Sequence, residues 1–168
     1  MNPTICPATA SDLAGILAIL NHNILTSTAI YSYTPWTLEQ LEQWFAAKQN
    51  DTMPVLVALA DDKVLGYGTY GIFRPKEGYR FCVEHSIYID DAAQGMGIGS
   101  AMLKALIARA KAQGLHTMVA GIDATNSHSI AFHRKFGFVE VGLMKEVGYK
   151  FNRWLDLQFM QLTLPPSP

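Results

Sequence analysis

The chain has only two cysteines, Cys6 and Cys82, and they show neither a C-x-x-C motif nor a paired-framework spacing. A disulfide scaffold is therefore not expected, and a reduced, cytoplasmic protein is. An excess of one charge is also missing. With 13 Lys and Arg against 14 Asp and Glu, the net charge of −1 does not suit a protein that grips nucleic acid through overall basicity. There is no apolar run of membrane-spanning length and no basic-then-apolar leader, so no membrane partner is expected. His22, His85, His116 and His128 lack metal-ligand spacing such as H-E-x-x-H, and Ser86 has no G-x-S-x-G setting. Neither a metal nor a serine nucleophile is expected. One local absence is more informative. No acidic residue occurs between Asp91 and Asp123, whereas Lys104, Arg109 and Lys111 do. Surface helices usually carry Asp or Glu in the first turn to complement the dipole; here that position is open to an anion.

What is present suits one well-filled domain over residues 1–164, with 49% hydrophobic residues, followed by a Pro165-Pro166-Ser167-Pro168 tail. The apolar pattern predicts a strand from Ile5 to Ala8 and a helix from an N-cap at Ser11 to about Ile24. A Ser/Thr/Tyr-rich loop follows. Thr37-Leu38-Glu39-Gln40 fits a capping box, and Leu38, Leu41, Trp44 and Phe45 share one face of the next helix. Val55–Ala58 and Val64–Tyr67 flank Asp61-Asp62-Lys63 as a hairpin, and a third strand runs from about Phe81 to Ile89. Ile98, Met102, Leu106 and Ala110 mark a helix that ends near Gly114. A strand at Met118–Ile122, a helix at Ser127–Phe136 and strands near Val139–Val147 and Trp154–Leu164 complete a β-α-α-β-β-β-α-β-α-β-β order, a mixed α/β layout.

Between the third strand and the third helix lies Gln94-Gly95-Met96-Gly97-Ile98-Gly99. Glycines at such a junction permit a sharp turn and a close approach to the backbone. The free N–H groups and dipole of the following helix then suit a phosphate. The motif Gln94-x-x-Gly97-x-Gly99, followed by Asn126-x-x-Ser129-x-x-Phe132-His133-x-Lys135-x-Gly137-Phe138, resembles the two landmarks of GNAT-type N-acetyltransferases. Thr26-Ser27-Thr28, Glu84-His85-Ser86-Ile87-Tyr88-Ile89 and Gly148-Tyr149-Lys150…Trp154-x-Asp156…Gln161 narrow the resemblance. They are similar to the phosphinothricin and methionine sulfoximine (methionine sulfone) N-acetyltransferase branch. That resemblance implies the GNAT fold, a central mixed, mostly antiparallel sheet flanked by helices. It also implies acetyl-CoA as co-substrate, a small amino-acid-like acceptor acetylated on its α-amine, and a homodimer.

The resemblance assigns Glu84 as base, with partial burial or a water relay making a carboxylate competent. His133 stands where many members place a tyrosine. It either protonates the departing thiolate, hydrogen-bonds the sulfur or packs beside the cofactor. Backbone groups of Ile87, Tyr88 and Ile89 are expected to grip the pantetheine, and a bulge there would let an amide polarise the thioester carbonyl. Gln94, Gly95, Met96, Gly97, Ile98, Gly99 and Ser100 are expected at the pyrophosphate. Asn126 and Ser129 are expected near the pantetheine, Asn126 doubling as a helix N-cap. For the acceptor, Arg74, Lys76 and Arg80 offer cations to an α-carboxylate, with Arg74 favoured and at least one of the three a solvated charge. His85, Ser86 and Tyr31 complete the expected pocket, and Lys150, Asn152 and Trp154 either cap it or reach it from a partner subunit. Two other functions compete: a related enzyme acting on a protein N-terminus, polyamine or aminoglycoside, and a non-catalytic CoA- or nucleotide-binding sensor. The G-x-G-x-G spacing departs from the G-x-G-x-x-G of a dinucleotide fold, and a sensor would have no need of Glu84 and His133.

Overall fold

Alternating and helical apolar patterns resolve, in the computed structural model, into a sheet covered on both faces; the structure describes residues 3–164. The order is β1 (Thr4–Pro7), α1 (Leu13–Thr26), α2 (Leu38–Asn50), β2 (Val55–Ala60), β3 (Lys63–Ile72), β4 (Cys82–Ile89), α3 (Ile98–Ala112), β5 (Thr117–Asp123), α4 (Ser127–Lys135), β6 (Val139–Lys150) and β7 (Arg153–Thr163). The strands form a 7-stranded sheet in the order β1-β2-β3-β4-β5-β7-β6. Each neighbouring pair is antiparallel except β4 with β5. The element order is the one the sequence predicts. The expected Pro165–Pro168 tail lies outside the described residues.

Strand alternation sends successive side chains to opposite faces. Leu56, Ala58, Tyr70, Val83, Met118, Ala120 and Ile122 pack with α3 in one core cluster. Val55, Val57, Val64 and Tyr67 pack with α1 and α2 in another. The 3.6-residue spacing of Ile98, Met102, Leu106 and Ala110 places all four at 2% exposure or less. Gly114, at φ +72, closes α3 as its sequence position predicts.

Helix entry differs from expectation at one place. The chain reaches α1 through a short 3-10 turn, Ala10–Asp12. Thr9 caps that turn, its backbone N–H and hydroxyl both donating to Asp12 Oδ2 at 2.7 and 2.9 Å. Ser11 only exchanges a hydroxyl hydrogen bond with Thr9, because the carboxylate one residue later is the stronger acceptor. At α2 the capping box is present, with Gln40 N–H donating to the Thr37 hydroxyl and Thr37 N–H to Gln40 Oε1. Leu41 and Phe45 are buried, whereas Leu38 is 44% exposed. As first residue of the helix, Leu38 projects back beyond the helix start instead of over the sheet.

One irregularity positions everything that follows. β4 and β5 pair only where Cys82, Val83 and Glu84 face Thr117, Met118 and Val119. Beyond Glu84, β4 continues against β3 to Ile89, and β5 continues against β7 to Asp123. The two strands part, and a wedge opens in mid-sheet with Glu84 at its apex. Packing of α3 across β3 and β4 supports this wedge. Met102→Ala, at a side chain with 0% exposure, is expected to cost about 2–5 kcal/mol in urea denaturation with the slope of the transition unchanged.

Candidate active site

Leaving β4, the chain makes a short turn capped by Asp90, whose Oδ1 accepts from Ala92 N–H at 2.9 Å. It then enters the Gly loop. Gly95 and Gly97 have φ of +81 and +77, and a Cβ at either would meet nothing within 4 Å. Backbone conformation, not space, demands glycine there, and the loop backbone lies open on that side. Gly97 is the N-cap of α3; Ile98 is buried beneath it and Met96 is exposed. The first turn of α3 contains no acid, and Arg109 and Lys111 sit in its last turn. The Gln94 side chain turns back instead, donating to Asp91 Oδ1 at 2.9 Å, while Asp91 Oδ2 lies 2.8 Å from His22 Nε2.

The other expected cofactor contacts border the wedge. Ile87 and Ile89 pack against the core on the α3 side, and Tyr88 stacks on Tyr67 with ring centroids 5.2 Å apart. Only their main chain is available. In an antiparallel ladder alternate residues direct their amides away from the partner; along β4 those amides face the wedge. Asn126 is the N-cap of α4, its Oδ1 accepting from Ser129 N–H at 3.0 Å.

Glu84 lies on the α1–α2 face of the sheet, in register with Val119. Burial raises its carboxyl above the usual value, and the Arg74 guanidinium pulls partly the other way. A Cβ on Gly121 would lie 2.9 Å from Glu84 Oε1, so the carboxylate occupies the space this glycine leaves on β5. Of the three expected cations, Arg74 is the one whose charge acts on Glu84. Arg80 stacks on Phe81 at 4.7 Å, and Lys76 stays exposed at the entry to a 3-10 turn. Ser86 shares the Glu84 face and hydrogen-bonds Tyr88.

His85 points to the opposite face, which corrects its expected place in the acceptor pocket. Strand alternation sends it toward α4, where it is buried, stacked on His133 at 5.1 Å and set edge-on to Phe138. His133 Nδ1 lies 2.7 Å from the Ser129 carbonyl, and its Nε2 lies 3.1 Å from His85 Nε2. A carbonyl only accepts, so His133 carries its proton on Nδ1 and receives one from His85 Nε2–H. Burial lowers the pKa of both rings, His85 to about 3 with His133 adding to its shift. With both nitrogens engaged, His133 is not a free proton donor in this arrangement.

Tyr31 lies against Gly148, where a Cβ would be 2.5 Å from its ring. Lys150, expected either to cap the pocket or to reach it from a partner subunit, inserts beneath the loop after α1. Its Nζ donates to the Ser27 and Ile30 carbonyls at 2.7 and 2.6 Å. Sequence reasoning missed Gly121 and Asp123. The lone glycine inside the Val119–Asp123 strand is the signal that would have found the first, since such a glycine marks a close approach. The buried histidine pair generates a prediction. Neutral histidines in the folded state gain protons only on unfolding, so stability should be complete above about pH 6.5 and fall as pH drops toward 3. His85→Phe should flatten that slope in denaturation series run at successive pH values.

The comparisons fit this geometry. The family model described as Acetyltransferase (GNAT) domain matches residues 5–159. The L-methionine sulfoximine/L-methionine sulfone acetyltransferase of Pseudomonas paraeruginosa is 50% identical over 168 residues, covering 99% of this chain and 98% of the relative. A solved N-acetyltransferase from Staphylococcus aureus superposes with a TM-score of 0.96 at 47% identity, covering 98% of this chain and 100% of that one. A GNAT superfamily phosphinothricin acetyltransferase from Sinorhizobium meliloti, solved in complex with acetyl-CoA, gives 0.94 at 38% identity, covering 99% and 94%. The chain is thus an acetyl-CoA-dependent N-acetyltransferase and belongs to the GNAT acetyltransferase family.

Proposed function

We propose that the enzyme, as one domain over residues 1–164, acetylates the α-amine of small amino-acid analogues: methionine sulfoximine, methionine sulfone and phosphinothricin. The observation that carries this is Glu84, half-buried at the wedge apex with Arg74 acting on it. A carboxyl beside a guanidinium matches the amine and carboxylate that an α-amino acid presents on adjacent atoms. The names of the relatives support the substrate class.

The residues fit acetyl-CoA. Open backbone at Gly95 and Gly97 and the acid-free first turn of α3 suit its pyrophosphate, and the unpaired β4 edge suits its pantetheine. When bound, it supplies an acetyl group activated as a thioester. Glu84 takes the proton that the substrate ammonium must lose, directly or through a water, and the freed amine attacks the carbonyl carbon. Wedge-facing amides of β4 stabilise the oxyanion, and as the carbon–sulfur bond breaks the departing thiolate takes the second proton that the nitrogen loses on becoming an amide. Arg74 holds the α-carboxylate. A thiol pKa of about 8.5 lets the thiolate leave without a strong acid in line, and His133 packs beside it.

We further infer a cytoplasmic homodimer formed through β6. This strand is one of the two sheet edges, and Val139, Val141, Leu143, Val147, Tyr149 and Phe151 on it or at its end are 45–60% exposed. A long apolar edge of this kind requires a cover, and a second copy supplies one of matching chemistry.

Turnover of acetyl-CoA should appear with the three analogues and fail with aminoglycosides and peptides; activity confined to peptides overturns the assignment. Glu84→Gln should lower kcat by about 10²–10⁴-fold while the KM for acetyl-CoA stays within about twofold. In the wild type kcat/KM should rise with pH through the raised Glu84 value, since the ionised form accepts the proton. Light scattering should give twice the chain mass, and Leu143→Asp should halve it.

A further inference from the structure

Among the described residues, the buried side-chain polar atoms without a hydrogen-bond partner are Tyr31 OH, His85 Nδ1 and Asp123 Oδ2. His85 belongs to the α3–α4 face. The other two lie together on the face of Glu84: Met118, Ala120 and Ile122 point into the α3 core, so Val119, Gly121 and Asp123 point the other way.

The Asp123 side chain is 3% exposed. Its Oδ1 is fully used, accepting from Thr125 N–H at 2.9 Å and from the Thr125 hydroxyl at 2.8 Å. Oδ2 has the Arg153 guanidinium at 4.0 Å, and the Thr28 hydroxyl also acts on the carboxylate, but no well-formed hydrogen bond closes on Oδ2. Burial pushes this carboxyl upward, but the Thr28 hydroxyl, both Thr125 groups and Arg153 outweigh burial and hold it below its ordinary value. Nearby Asp156 is committed to Lys145 and to the Glu146 N–H. Burial raises the Tyr31 hydroxyl, and the charges of Asp123 and Asp156 raise it further. An ionised, buried, acceptor-only oxygen whose charge reaches an unpartnered hydroxyl suits one kind of ligand, a cationic hydrogen-bond donor.

Its place identifies which cation. Gly121, whose missing side chain makes room for Glu84, is two residues along the same face of β5. A two-residue step is about 7 Å, wider than the roughly 5.6 Å that two charge-assisted hydrogen bonds of about 2.8 Å can span, so an ammonium held at Asp123 reaches Glu84 through one water. We propose that Asp123, with Tyr31 beside it, receives the ammonium group of the acceptor and holds it opposite Glu84. This rests on the amino-acid acetylation reading above. The division of labour follows from the environments. Glu84, raised, is ready to take a proton; Asp123, lowered, remains an anion and stabilises the positive charge that returns to nitrogen as it attacks the carbonyl.

Asp123→Asn separates this role from a structural one, because the amide oxygen still accepts from Thr125 while the charge is lost. With methionine sulfone as acceptor, the variant should raise the acceptor KM by about 10- to 100-fold. The KM for acetyl-CoA should stay within about twofold and the Tm should not move. The desamino analogue 4-(methylsulfonyl)butanoate, measured as a competitive inhibitor, should bind wild type and variant equally. Tyr31→Phe should raise the acceptor KM about 3- to 10-fold, and it carries the test if the Asp123 variant does not fold. An active wild type whose acceptor KM is unmoved by these substitutions overturns the inference alone, as does an inhibition constant that rises in parallel for the desamino analogue. A wild type inactive on every amino-acid analogue overturns the acetylation reading and this inference with it.

Discussion

The parting of β4 from β5 after Glu84 is the constraint on which the rest of the structure depends. A continuous sheet would satisfy its backbone groups internally and offer an extended ligand nothing to pair with. Here each strand keeps its outer neighbour, β3 or β7, and the sheet stays whole although its middle is unpaired. The unpaired edges are a template for a strand-like ligand. The apex brings the two strands into contact, the Glu84 side chain against the bare backbone of Gly121.

The sheet also sorts the chemistry by face. On the α3–α4 side lie the glycine loop, the Asn126 cap and the buried histidine pair, all close to neutral in charge. On the α1–α2 side lie Glu84, Asp123, Arg74 and Tyr31, where charge is concentrated. In the proposed reaction the donor arm lies along the first, the charged acceptor enters from the second, and the two meet where the parted strands let the faces communicate.

Periodicity and punctuation made most of this legible from the chain alone. The α3 stripe, the Thr37 cap, the hairpin and the glycine loop are all signalled locally, by residues within a few positions of one another. The nearness of Arg74 to Glu84 was legible because a charge cluster and a motif lie close in sequence. What escaped depends on alternation and on distant pairing. His85 was placed with its sequence neighbour Glu84, yet a strand sends adjacent side chains to opposite faces. Asp123 carries no motif, and its setting is built by Thr28, Tyr31 and Arg153 from far along the chain. Lys150 reads as a surface cation until the carbonyls of Ser27 and Ile30 are seen around it.

That lysine has a mechanical consequence. Its ammonium is a rivet between the loop carrying Thr28 and Tyr31 and the end of the edge strand β6. The Tyr33 hydroxyl adds a second fastening, donating to the Tyr149 carbonyl on the same strand. The loop that carries Tyr31 therefore has no independent suspension: it rides on an outermost strand of the sheet. Any load that bends or steadies that strand is transmitted to Tyr31, and under the proposed reading stiffness at the periphery sets how well the acceptor is gripped at the centre.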